Sequence, residues 1–170
     1  MDQRTFRVLE YKKIISQLAS YTLSDLGKSL VMELNPYTDP DEVQKRLDET
    51  EQAEAVISYI GSSPMDTFPD ITLALKKAAV GSILGPGELL QIAHVLRVAS
   101  RVIKVIDEYP YKDNIQWIIE RVSQLKPHRN LMEEILRCIE SEEHISDHAS
   151  PQLAAIRRNI QRANERIREK

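Results

Sequence analysis

Apolar residues recur along nearly the whole chain at spacings of three and four, the period of a helix with one buried face. Leu9, Ile14, Ile15 and Leu18 predict a helix over about residues 9–20. Ser24 is a good N-cap for a second helix, with Leu23, Leu26, Leu30, Val31 and Leu34 on one face and Pro36 as its end. Gly27 inside it costs about 1 kcal/mol relative to Ala, which predicts a close backbone approach to a neighbour. The next start signal is the clearest. Asp39 caps, Pro40 takes the first helical position, and Asp41 and Glu42 put negative charge in the positive first turn. This helix is expected to reach Ile60, with Val43, Leu47, Thr50 and Ile57 inward and Gly61 stopping it.

The two-proline stretch GSSPMDTFPD, residues 61–70, reads as a loop, and ITLALKKAAV as a short helix ending at Gly81. A turn, GPG, then opens the longest helix of the body, about 87–108. Leu89, Ile92, Leu96, Ala99, Ile103 and Ile106 form one apolar stripe of it. Leu90, Val95, Val98, Val102 and Val105 form another. Gln91, His94, Arg97, Arg101, Lys104 and Glu108 are left as the polar stripe, so this helix is expected to pack on two sides. Shorter helices follow at about 113–125 and 130–140, with Asp113 and Asn130 as caps. SEEHISDHAS is a polar joint, and the only hint of strand is a pairing near Arg7 and Ile145.

The chain closes on SPQLAAIRRNIQRANERIREK. Ser150 is the cap and Pro151 the first helical residue. Leu153, Ile156, Ile160, Ala163 and Ile167 make a narrow seam suited to a partner helix. No capping glycine or proline follows, so the pattern predicts a helix continuing past Lys170 and a chain that is the first part of a longer protein. The expected class is all-α: a helical bundle over residues 1–149 and the start of a long helix over 150–170.

Composition adds three constraints. Aromatics are only 5%, so the core must be aliphatic. Charge is uneven: residues 151–170 hold six basic and two acidic groups, a net of +4, while the other 150 residues carry 17 basic and 24 acidic groups, a net of −7. Any nucleic-acid contact therefore belongs to the terminal arm, through Arg157, Arg158, Arg162, Arg166 and Arg168. The competing reading is a solvated helix face. No aromatic residue interleaves these arginines, so the arm offers phosphate contacts without base stacking. Finally, the single cysteine, Cys138, excludes an internal disulfide. With no long apolar run and no signal-peptide pattern, the chain is expected to be cytoplasmic and free of membrane.

The search for chemistry is mostly negative. GPGE at 85–88 lacks the Lys-Ser/Thr of a phosphate loop, and no nucleophile elbow or paired-cysteine motif occurs. His144 and His148 are four apart but have no third ligand in pattern, and Glu140, Glu142 and Glu143 read as solvated charge. Arg97, Arg101 and Lys104 form a second basic row. No catalytic, cofactor-binding or metal residue is assigned.

The order of motifs resembles the core segment of the MutS ATPase family. Within TLSDLGKSLVMELNPYTDPDEVQKRLDETEQAEAVI, a Gly-bearing helix (Gly27), a Pro-ended turn (Pro36), an Asp (Asp39) and a helix with Arg46, Leu47, Asp48 and Glu51 carry the likeness. FPDITLALKKAAVGSILGPGELLQIAHVLRVASRV and ISDHASPQLAAIRRNI resemble the type-2 bacterial branch in particular. The mismatch-reading Phe-x-Glu element is absent, since neither Phe6 nor Phe68 has Glu two positions on. The resemblance runs from about Leu9 to Lys170. It implies a core and lever segment of a dimeric ATPase. Its parent would carry a coiled clamp with a returning helix, an ATPase domain using ATP and Mg, and an Smr domain that is an endonuclease in many members. Family roles are recombination suppression on branched DNA and rescue of stalled or collided ribosomes through RNA contacts. Two other readings stand beside it: a free-standing helical adaptor, and a small enzyme using the Glu and His residues of 140–148.

Overall fold

The computed structural model describes residues 3–168, and the all-α class holds across them. The order is α1 (Gln3–Val8), α2 (Tyr11–Ala19), α3 (Asp25–Met32), α4 (Pro40–Ile60), α5 (Thr72–Ala79) and α6 (Pro86–Glu108). A 3₁₀ turn (Lys112–Ile115) leads into α7 (Gln116–Ser123). Then come α8 (Arg129–Cys138), a second 3₁₀ turn (Asp147–Ala149) and α9 (Pro151–Arg168). Among the described residues no strand forms. A lone antiparallel bridge joins Ile145 to Ile139, and Arg7 lies in α1 instead of pairing.

Local chemistry explains most of the boundaries. The Asp39 carboxylate accepts from the N–H groups of Asp41 and Glu42 at 2.9 and 3.2 Å, and Gly61, in the left-handed region at φ 81°, closes α4. Ser24 Oγ accepts from Gly27 N at 3.1 Å. That bond also explains the glycine. A Cβ at Gly27 would stand 3.1 Å from Ser24 Oγ, so the close neighbour is the helix's own cap and not another helix. α3 ends at Met32, four residues ahead of Pro36.

Three expected boundaries move. Glu10, at φ 51°, separates α1 from α2, so the first predicted helix starts at Tyr11 and a short helix precedes it. Asp113 falls inside a 3₁₀ turn instead of capping a helix. Asn130 is already helical, because α8 turns in from a left-handed His128 at φ 32°.

The described residues fall into two compact units. One comprises the chain up to Asp70 together with Arg97–Pro127; the other comprises Ile71–Leu96 and everything from His128. In the first, Val56, Ile106, Tyr109 and Ile115 form the buried cluster, with Ile60, Val102, Ile118, Ile119 and Val122 against it. In the second, Ala74, Ile92, Ala93, Ile135 and Ile139 are buried, with Leu89, Leu96, Met132 and Cys138 among the flanking groups. α6 supplies residues to both, which is why it is apolar on most of its circumference. Of its predicted polar stripe, Gln91, Arg97, Arg101, Lys104 and Glu108 are exposed and His94 is half-buried.

Two inward faces differ from the expectation. In α4 the buried positions are Glu49 and Val56, flanked by half-buried Gln52, Ala53 and Ile60, while Leu47 is 58% exposed and Val43, Thr50 and Ile57 are exposed too. The packed face is the one that meets the 3₁₀ turn and α7, where Trp117 N donates to Gln52 Oε1 at 2.9 Å. Two of its five members, Glu49 and Gln52, are polar, so counting apolar residues selects a different stripe. In α3 no residue is buried, and Leu26 and Leu30 are exposed, as is Leu34 just beyond its end.

Ile115 is fully buried. Ile115→Ala is expected to cost about 2–5 kcal/mol of stability, the usual range for truncating a core aliphatic side chain. Chemical denaturation followed by helix signal checks this, and an unshifted midpoint would contradict the assigned core.

Candidate nucleic-acid interface

The root of α9 is tied down, and the tie begins upstream. Ser146 is 2% exposed; its N–H donates to the Cys138 carbonyl at 2.8 Å and its Oγ accepts from His148 N at 3.2 Å. The Arg137 guanidinium donates to the His148 carbonyl. Ser150 then caps α9, its Oγ accepting from Gln152 N at 3.2 Å. Arg157 reaches back across the joint to Asp147 at 2.5 Å. Leu153, Ala154, Ala155 and Arg157 are half-buried; every described residue after Arg157 is exposed.

The five arginines therefore do not act as one group. Arg158, Arg162 and Arg166 follow at intervals of four, which places them along one ridge with about 6 Å of helix axis between neighbours. They make no ion pair with a described residue. This ridge lies away from the apolar seam, whose Ile156, Ile160 and Ile167 are 57%, 55% and 73% exposed. Arg157 is committed to Asp147, and Arg168 sits beside the seam with it, 11 residues on. Lys170 lies outside the described residues. Sequence reasoning missed the Asp147–Arg157 pair because its partners are separated by a cap and a 3₁₀ turn, with no periodic signal linking them.

The other basic row is largely neutralised. Arg101 pairs with Asp66 at 2.7 Å and Lys104 with Glu108 at 3.8 Å. His144 and His148 do not share a helix face. His144 sits in the turn closed by the Ile139–Ile145 bridge, 3.6 Å from Glu140, and His148 lies in the 3₁₀ turn. Among the described residues no group of three or more His, Cys, Asp or Glu can hold a metal ion, and no helix is long and apolar enough to cross a membrane. Burial and the hydrogen bond to Glu134 push the Cys138 thiol up, away from the reactive thiolate.

The Arg157 guanidinium, chiefly through its hydrogen bond, holds the Asp147 carboxyl below its ordinary value. A depressed folded-state value stabilises the fold above the ordinary value and loses that contribution as pH falls through the folded one. Below about pH 3.8, the ordinary aspartate value, the root of α9 is expected to loosen, and Asp147→Asn should loosen it at neutral pH. Amide exchange over residues 151–157 checks this; equal protection in both chains at pH 7 would contradict it.

No family model matches the chain. It is 41% identical over 170 residues to the endonuclease MutS2 of Ruminiclostridium cellulolyticum. It is 38% identical over 175 residues to that of Acetivibrio thermocellus, and 37% over 171 residues to that of Bacillus cereus. In each case the match covers 100% of this chain and 22% of the relative. A match that spans the whole of this chain, repeated across three genera at this identity, makes the chain a segment of the MutS2 family.

Proposed function

We propose that this chain is a non-catalytic core and lever segment of a type-2 MutS-like ATPase, with residues 150–170 beginning the outgoing helix of its clamp. The match over the full length of this chain to relatives named endonuclease MutS2, of which it spans 22%, carries the reading. In that setting the parent binds ATP and Mg, cuts nucleic acid, works as a cytoplasmic homodimer and acts on branched DNA or stalled ribosomes. The exposed seam of α9 is the surface for the returning clamp helix. The segment itself contributes no chemistry. Its part in gripping DNA or ribosomal RNA is the arginine ridge, which addresses the phosphate backbone common to both.

Three phosphate contacts give a log–log salt slope of about −2.7 on duplex DNA, or roughly a 40-fold loss of affinity from 50 to 200 mM salt. Binding of this chain to a labelled four-way DNA junction is expected to follow that slope and to be no tighter than about 10⁻⁴ to 10⁻⁶ M at physiological salt. A ribosomal-RNA hairpin should bind in the same weak range. Arg158→Glu, Arg162→Glu and Arg166→Glu together should abolish binding, whereas Arg97→Glu with Arg101→Glu should leave it. Fluorescence anisotropy measures all of these. Salt-insensitive binding, or binding kept by the triple variant, would overturn the assignment of the ridge.

A further inference from the structure

Away from the arm, α4 and α7 border an open notch of about 360 Å³, lined by Asp41, Lys45, Asp48, Glu49, Gln52 and Trp117 among others. Two of the residues that line it each hold a buried polar atom with no hydrogen bond within the chain: Glu49 Oε1 and Trp117 Nε1. Buried polar groups are nearly always paired, and an ionised carboxylate oxygen is among the costliest to leave alone. The rest of the wall is already committed. Glu49 Oε2 accepts from Arg46 at 2.9 Å, Asp48 accepts from Gln44 at 2.8 Å, and Gln52 Oε1 holds Trp117 N at 2.9 Å. Glu49 is only 9% exposed, so bulk water does not solvate it freely.

The two orphans specify what would satisfy them. One is an acceptor and needs an N–H or O–H. The other is a donor and needs an oxygen. The lining holds three carboxylates, Asp41, Asp48 and Glu49, against the Lys45 ammonium; Arg46 is shared between Glu49 and Glu42, so the notch keeps a negative balance that favours a cation over a phosphate. Arg121 already lies over the Trp117 ring at 5.5 Å, which commits one face of the ring and leaves the indole edge as the polar handle. The terminal torsions of Glu and Trp are soft, so these two atoms can turn toward a partner. A lysine or arginine side chain meets the demand for donors, and the carbonyl of the same residue meets the demand for an acceptor.

We propose that this notch receives a basic side chain of a partner protein, its N–H groups on Glu49 and Asp48 and its peptide carbonyl on the indole N–H of Trp117. The inference is independent of the role assigned to α9.

Trp117 is the sole tryptophan, so its fluorescence and its single indole N–H resonance report on the notch directly. Titration with the peptide acetyl-Gly-Arg-Gly-amide should shift both signals saturably, with a dissociation constant on the order of 1 mM. Glu49→Gln should weaken this about tenfold or more, and acetyl-Gly-Glu-Gly-amide should give no response. Asp48→Asn, at an exposed position, should also weaken binding and keeps the test valid if Glu49→Gln disturbs the helix signal. Equal responses to the basic and acidic peptides would overturn the proposal. So would an indole resonance that ignores both peptides yet moves on Glu49→Gln, since that would show Trp117 and Glu49 bonded to each other.

Discussion

Ile92 and Ala93 near the start of α6, and Val102 and Ile106 further along it, belong to two different hydrophobic clusters. Each fully buried aliphatic side chain contributes about 1.5–3 kcal/mol relative to exposure. Aromatics are only 5% of the chain, and apart from Tyr109 the two clusters are aliphatic, with α6 contributing to each. That constraint accounts for the composition of α6, which has no solvent face wider than one polar stripe. It also accounts for the shorter helices around it. α5 and α8 find their buried surface against the first part of α6. In the other unit Val56 of α4 and Ile115 of the 3₁₀ turn share a cluster with Ile106.

Charge follows a different logic. Most ion pairs lie at the surface or between neighbours three or four apart on a helix, where each is worth little. Asp147–Arg157 differs in what it connects, because it fastens the first turns of α9 to the joint before it. The consequence for function is selective. One arginine is used in anchoring, and the three along the opposite ridge stay available to a partner.

Local signals were legible in the sequence. Asp39-Pro40, Ser24, Ser150-Pro151, Gly61 and the apolar girth of α6 depend on chemistry within a few residues, and all stand where they were expected. The losses have a common cause. Which face of α4 turns inward is decided by the 3₁₀ turn and α7, some 65 residues away, and a glutamine amide and a glutamate are part of that face. The left-handed Glu10 and His128 are not glycines, so no residue type announced them. At the candidate interface the arginines themselves were plain to read. Their division into an anchor and a ridge was not, because it depends on a tertiary pair. The notch was invisible for the same reason: Glu49 and Trp117 come to line one site only through the packing of α4 on α7.

The claim that one helix furnishes both hydrophobic clusters is tested most directly by native-state hydrogen exchange along α6. The account predicts slow exchange at Ile92–Ala93 and again at Val102–Ile106, with protection well above that of the exposed stretch of α9 beyond Arg157. If either of those α6 segments exchanged as fast as the exposed end of α9, that half of the helix would not be core, and the account would fail.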